Sequence, residues 1–270
     1  VDQSHDWTTE EAIEHHQHMV PPDVAICYVR DTGRGLSASR NAALERAHHR
    51  IVALTDDDCV PAPGWVAVLS DAFASSPRPD AVSGPVLPLG PERPGWYAVS
   101  SRTQMQRTIY TGRALPWEVG TGGNFALDTT WIKRVGPYDE RLGAGTLGGA
   151  GEDIDLLRRL LRAGARIQYE PAALVYHERQ PKERRMATRV SYGRGIGASC
   201  GLWLRQGDRE ALPILLWWFG RRGRKLLGAS VHHRWISVAE ELQVFRGTFE
   251  GLWYAARVGH KERKTHADVT

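Results

Sequence analysis

Along the first 180 residues, apolar and polar positions alternate in short blocks that predict strands and helices taking turns. Val24 to Val29 reads as a short apolar strand. Ser37 to His48 follows as a helix, with Ala38, Ala42, Leu44 and Ala47 along it and Ser37 placed to cap it. Ile51 to Leu54 is another apolar strand, Pro63-Gly64-Trp65 opens a helix through Phe73, and Ala81 to Leu87 is a strand bounded by Gly and Pro. Asn124 to Leu127 then reads as a strand and Thr129 to Val135 as a short helix. Glu152 to Ala163 carries the clearest helical period: Ile154, Leu157, Leu160 and Leu161 share one face, the arginines lie elsewhere, and Gly164 ends it. Ala165 to Tyr169 and Ala173 to Tyr176 close the series as strands. This alternation predicts an α/β domain with a mainly parallel central sheet.

After His177 the pattern changes. Residues 178–200 are basic and punctuated by glycine, and helices are expected over about 210–227, 229–248 and 249–258. The longest apolar run there, Ala211 to Phe219, is far short of the ~18 residues that a membrane span needs. The chain therefore divides into an α/β part over 1–180 and a basic helical extension over 181–270.

Composition changes this picture in two places. A hydrophobic content of 41% with 24% charged residues is that of a chain able to bury a core. The net charge of +4 hides an asymmetry, because residues 1–177 hold 17 Lys and Arg against 22 Asp and Glu, whereas 178–270 hold 18 against 9. Three scattered cysteines make no metal-binding pair or disulfide framework and suit a reducing cytoplasm; the polar, acidic start does not resemble a secretory leader.

The first candidate chemistry is the run Asp56-Asp57-Asp58 at the end of an apolar strand. The C-terminal end of such a strand is where ligands bind in open α/β sheets. Three adjacent carboxylates repel one another, and a cation such as Mn²⁺ or Mg²⁺ relieves the repulsion while bridging to a diphosphate. The plainer alternative is a solvated acidic turn.

Five motifs in order, Gly35-Leu-Ser-Ala-Ser-Arg-Asn-Ala-Ala-Leu44, Asp56-Asp-Asp58, Gly122-Gly-Asn-Phe125, Gly151-Glu-Asp-Ile-Asp155 and Val175-Tyr-His177, resemble the motif series of family 2 glycosyltransferases of the GT-A fold. The resemblance covers about residues 1–180 and implies a GT-A-like, Rossmann-like nucleotide-sugar-binding domain. It implies transfer, with inversion, of a sugar from a nucleotide-diphosphate-sugar donor to an acceptor hydroxyl.

By that similarity Asp58 binds the metal, with Asp56 and Asp57 near the ribose and the metal waters, and Asp56 also counts as a metal residue. Arg40 lines the nucleotide pocket, although an arginine on a helix of this kind can equally be a surface residue. Gly122, Gly123 and Asn124 let the backbone approach the donor sugar and diphosphate, unless the Gly pair is an ordinary turn. Asp153 is the general base and Glu152 orients the acceptor or the loop; helix-start preference alone would also place acids there. The glycine-rich Gly143 to Gly151 segment is of a kind that can move over the substrate, its glycines permitting the backbone angles. His177 either completes the metal site or is a structural histidine at a strand end. His15, His16 and His18 read as surface residues, since adjacent helical histidines point apart.

The series starts at what resembles the end of the family's second strand, Val1-Asp2-Gln3-Ser4, with Asp2 as the residue touching the base. The resemblance therefore implies that this sequence lacks the first βαβ unit. The basic, aromatic tail around Ile214 to Lys225 suits either an anionic membrane surface at the inner face of the cell membrane or packing against the α/β domain. The first would fit a lipid-linked or polysaccharide acceptor, while nucleic acid is not expected as a partner. Two rival readings are a nucleotidyltransferase and a non-catalytic membrane-associated scaffold that kept the fold.

Overall fold

Apolar runs of three or four residues are too short for helices, and they satisfy their backbone groups by pairing as strands covered on both faces. The structure, a computed structural model, describes residues 1–258. In chain order the elements are α1 (Thr8–Gln17), α2 (Leu36–Glu45), β1 (Ile51–Leu54), β2 (Cys59–Pro61), α3 (Trp65–Ala74), β3 (Ala81–Ser83), β4 (Val86–Pro88) and β5 (Trp96–Tyr97). There follow β6 (Thr108–Tyr110), α4 (Pro116–Val119), β7 (Phe125–Asp128), α5 (Thr130–Val135), α6 (Glu152–Arg162), β8 (Ile167–Tyr169), β9 (Val175–His177) and β10 (Gln180–Pro181). Three long helices close the described chain: α7 (Lys182–Arg205), α8 (Ala211–Val231) and α9 (Trp235–Arg257).

The central sheet has the order β1-β7-β3-β8-β6. Alternate side chains on its strands feed two cores. Phe125, Leu127 and Ile167 meet Leu156, Leu160 and Leu161 of α6 on one side. Val82 and Ala126 meet Trp65, Leu69 and Phe73 of α3 on the other. Each fully buried leucine of α6 contributes about 1.5–3 kcal/mol relative to exposure, and this is what holds the helix start against the sheet.

The sheet is mixed rather than mainly parallel. Only β3 and β8 run parallel, while β7 lies antiparallel between β1 and β3, and β6 antiparallel to β8. Strand–helix alternation shows that helices separate the strands, but a long returning loop can insert a strand in either direction, as it does with β7. The expected strand at Val24 to Val29 is extended chain held by a single parallel bridge, Asp2 with Arg30, through Asp2 N–H to Val29 O and Asp31 N–H to Asp2 O. The expected strand over Ala81 to Leu87 breaks at Gly84-Pro85, where the chain leaves the central sheet for a second one, β2-β9-β4. A Cβ on Gly84 would sit 2.1 Å from Ala173 O, so the crossing requires glycine.

The glycine-punctuated stretch after residue 178 is the long helix α7, and the two helices expected over 229–258 are the single helix α9. Glycine weakens an isolated helix, but here it lets two helices touch backbone to backbone. A Cβ on Gly193 or Gly197 of α7 would lie 2.2 or 2.0 Å from the carbonyls of Val244 or Thr248. From the other side, a Cβ on Gly247 or Gly251 of α9 would lie 2.1 Å from those of Val190 and Arg194.

Replacing Gly247 by Ala should therefore push the helices apart and lower unfolding stability by about 1–3 kcal/mol in a denaturant titration. Gly223 of α8 faces open space, and Gly223→Ala should raise stability by up to about 1 kcal/mol through helix propensity alone.

Candidate active site

β1 delivers the acidic run into a turn closed by Cys59 N–H to Asp56 O at 3.1 Å. Asp57 points out to solvent, whereas Asp56 and Asp58 are partly covered. Arg40, in the middle of α2, lies beneath them and is almost wholly buried. Its guanidinium donates to Asp56 Oδ1 at 2.7 Å and to Glu152 Oε1 at 3.2 Å. One cation thus joins two acidic clusters that lie about a hundred residues apart in the chain. It also lies 5.5 Å from the centre of the Tyr138 ring, and the paired carboxylates hold its pKa above the arginine norm despite burial.

The start of α2 has a mechanical purpose. Its start is stapled to the glycine-rich segment by Leu36 N–H to Ala144 O at 3.0 Å and by Ser37 Oγ–H to Leu142 O at 2.6 Å. Ser37 therefore sits inside the helix and bonds to the loop instead of capping. Asn41 clamps Tyr138 in both directions, donating to its carbonyl at 3.0 Å and accepting from its N–H at 2.8 Å. On the far side, Ala150 N–H donates to Ser191 O of α7 at 3.2 Å, and a Cβ on Gly195 would lie 2.1 Å from Ala150 O. The glycine-rich segment is thus bonded to α2 on one side and to α7 on the other.

The Gly122-Gly123 pair is required by the ion pair itself. A Cβ on Gly122 would stand 2.5 Å from both terminal nitrogens of Arg40, and one on Gly123 would stand 2.8 Å from Asp56 Oδ2. Gly122 N–H donates to Asp153 Oδ2 at 3.1 Å, and Ile154 N–H donates to Asp153 Oδ1 at 2.7 Å. These bonds fix the carboxylate's orientation at the start of α6. The Asn124 side chain is fully buried, accepting from Trp65 Nε1 at 3.0 Å and donating to Pro85 O and Ala173 O. It ties the two sheets together, and only the glycines before it border the site. Asp2 is also held, accepting from Ser4 and from Tyr28 Oη at 2.8 Å.

A second corner forms where β2 pairs with β9 and sets Cys59 opposite His177. His177 Nε2 lies 3.5 Å from Asp58 Oδ1. The His177 Nδ1 atom is 2.8 Å from Glu178 O, which can only accept, so Nδ1 carries a proton and Nε2 is the ring atom that faces Asp58. Burial pushes the Asp58 carboxyl up, His177 pulls it down, and Asp56 and Asp57 push it up again. Asp58, Cys59 and His177 have potential ligand atoms within 4.8 Å of one another. Burial and Asp56 push the Cys59 thiol up to about 12, and beside it stand a carboxylate oxygen of Asp58 and the imidazole of His177. That donor set fits Mn²⁺, and Mg²⁺ less well because of the nitrogen. Missed in the sequence was Arg184, in the first turn of α7, whose Nη2 approaches Asp58 Oδ2 to 3.6 Å. The signal was available as a basic run a few residues after His177.

This arrangement of mixed sheet, acidic turn and buried acid pair is of the GT-A type. The chain belongs to the glycosyltransferase-like family 2, whose sequence profile matches residues 1–193. It is 29% identical over 191 residues to the pre-mycofactocin glycosyltransferase of Mycobacterium tuberculosis, covering 68% of this chain and 38% of that one. To the chondroitin synthase of Escherichia coli it is 25% identical over 199 residues, covering 62% of this chain and 28% of that one. The chain thus spans well under half the length of the curated relatives it matches. Among solved structures it resembles the mannosyltransferase PcManGT of Pyrobaculum calidifontis, in complex with GDP-Man and Mn²⁺. The TM-score is 0.56 and the identity 17%, over 93% of this chain and 76% of that one.

Burial and the adjacent Asp153 push Glu152 up to about 7 against the pull of Arg40, and its Oε2 is buried without a hydrogen-bond partner among the described residues. An acid whose pKa is raised on folding stabilises the fold fully below its unfolded pKa of 4.5, and that contribution is lost as pH rises through 7. Thermal unfolding followed from pH 4.5 to 8 should show this decline in the parent chain and a flatter profile in Glu152→Gln.

Proposed function

We propose that the chain transfers a glycosyl group from a nucleoside-diphosphate sugar to an acceptor hydroxyl, with inversion at the anomeric carbon. The observation that carries this reading is Arg40, which joins the acidic turn able to face a diphosphate to the start of α6 that holds Asp153. Membership of the family and the sugar nucleotide with Mn²⁺ held by a protein of the same fold support it.

Asp153 is the base. Burial pushes its carboxyl up, which favours taking a proton, against the pull of Arg40 and of the backbone donors Gly122 and Ile154. Its two backbone hydrogen bonds fix which lone pairs remain for the acceptor hydroxyl. As the acceptor oxygen bonds to the anomeric carbon, its proton passes to Asp153. The bond from that carbon to the diphosphate breaks, and the electron pair leaves with the nucleoside diphosphate.

Asp58 and His177 would hold Mn²⁺ or Mg²⁺, with Asp56 and Asp57 reaching its waters or the ribose; the ion would neutralise the charge that develops on the departing diphosphate. Arg184, exposed beside Asp58, supplies a second positive group on that side. Asp56 serves in addition as the anchor of Arg40, and Glu152 also positions Arg40.

Two measurements test this. With a panel of UDP-, GDP- and TDP-sugars plus Mn²⁺, Asp153→Asn should lower turnover about 10²–10⁴-fold while the Mn²⁺-dependent rise in melting temperature with nucleoside diphosphate persists. Acceptor-dependent transfer at the parental rate in Asp153→Asn removes Asp153 as the base. His177→Ala should weaken Mn²⁺ binding at least about tenfold, and Asp58→Asn more, in calorimetric titration.

A further inference from the structure

We infer that the outward faces of α8 and α9 form a docking surface for an anionic lipid bilayer, on which the protein lies without crossing. On α8, Leu212, Leu216, Leu227 and Val231 recur at helical spacing along the side opposite the buried Ile214, Leu215 and Trp218. On α9, Trp235, Leu242, Phe249 and Trp253 form a similar outward stripe. Leu216, Leu227, Val231, Trp235, Phe249 and Trp253 each leave 60–72% of their surface to solvent. Phe219 of α8 meets Phe245 and Phe249 of α9 at 5.8 and 5.4 Å between ring centres, so apolar surface continues across the seam.

Charge selects the occupant. All the exposed charges from Ala211 to Arg257 are cations: Arg221, Arg224, Lys225, Arg234, Arg246 and Arg257. The three acids of that span are drawn inward, Glu240 onto Arg185 and Arg189, Glu241 onto Arg222, and Glu250 onto Arg194 and Arg246. An apolar face whose exposed charges are mostly cations, with Glu210 at the start of α8 and the half-buried Glu250 beside Arg246 as the acids next to it, complements anionic headgroups over hydrocarbon. Trp235 and Trp253 lie on the same outward face of α9, one near each end, so both rings can reach the headgroup level when the helix lies in the plane. Among the described residues no helix is long and apolar enough to cross a membrane.

The surface is one layer away from the proposed base. Trp217 of α8 stacks on Trp117 of α4 at 5.5 Å, and α4 leads directly into Thr121-Gly122, whose backbone holds Asp153. Docking would therefore set the acid pair at a fixed height above the lipid.

The test is flotation of the 270-residue chain with phosphatidylcholine vesicles, with and without phosphatidylglycerol. Binding should require the anionic lipid and fall as salt is raised. Arg221→Glu with Arg224→Glu should weaken it at least about tenfold, taking about fivefold per lost cation. Leu216→Ser with Leu227→Ser should weaken it independently of salt, and circular dichroism should show both variants as helical as the parent. Sugar-nucleotide hydrolysis without vesicles reports separately on the catalytic reading and should be unchanged in both. Failure to float with anionic vesicles, or flotation indifferent to all four substitutions, overturns the proposal. So does a self-associated chain in sedimentation velocity that Leu216→Ser renders monomeric, since the face would then join two copies.

Discussion

Bringing Asp56 close to Glu152 and Asp153 sets like charges against one another in a half-dry site, and the fold permits it by burying Arg40 between them. Breaking such a buried pair by removing one partner typically costs about 3–5 kcal/mol, because the remaining charge is stranded. Much else follows from housing this one guanidinium. Gly122 and Gly123 have no side chains because Arg40 and Asp56 occupy that space. Tyr138 lies against Arg40, and Asn41, one residue further along α2, holds the Tyr138 backbone in place. Ser37 draws the glycine-rich segment onto the same helix.

The parts of the molecule that could be read from the sequence are those where a local pattern carries its own physical cause. The start of α6 at Glu152 was legible because its leucines repeat at helical spacing and become the core under β7 and β8. β1 and β9 were legible because each ends in the residues that form a site corner. What sequence could not express was direction and approach. β7 runs antiparallel because of a long return that no local signal records. Asn124 read as a ligand-facing residue, yet its amide is consumed by three partners brought in from distant segments. The glycines of α7 and α9 looked like interruptions, since the close contact that requires them exists only in three dimensions.

The two acid clusters have come to stand on different physical footings. Asp58 is defined by what it faces, an imidazole whose Nδ1 is held by Glu178 O and an arginine from the first turn of α7. Asp153 is defined by how it is held, between two backbone N–H groups and beside a glutamate that burial makes a weak acid. Arg40 links the two clusters, paired with Asp56 on one side and with Glu152 on the other.

Helix α7 gives the molecule a property that neither acid cluster has alone. Its 24 residues make a rod of about 36 Å that touches Asp58 through Arg184 at one end, the loop before Glu152 through Gly195 at its middle, and α9 along its glycine face. Side chains can yield by changing rotamer, but carbonyl-to-glycine contacts have no such slack. The tail and the two acid clusters are therefore geared together. A different C-terminal pair of helices could be exchanged into this fold only if it brought its own matching glycines.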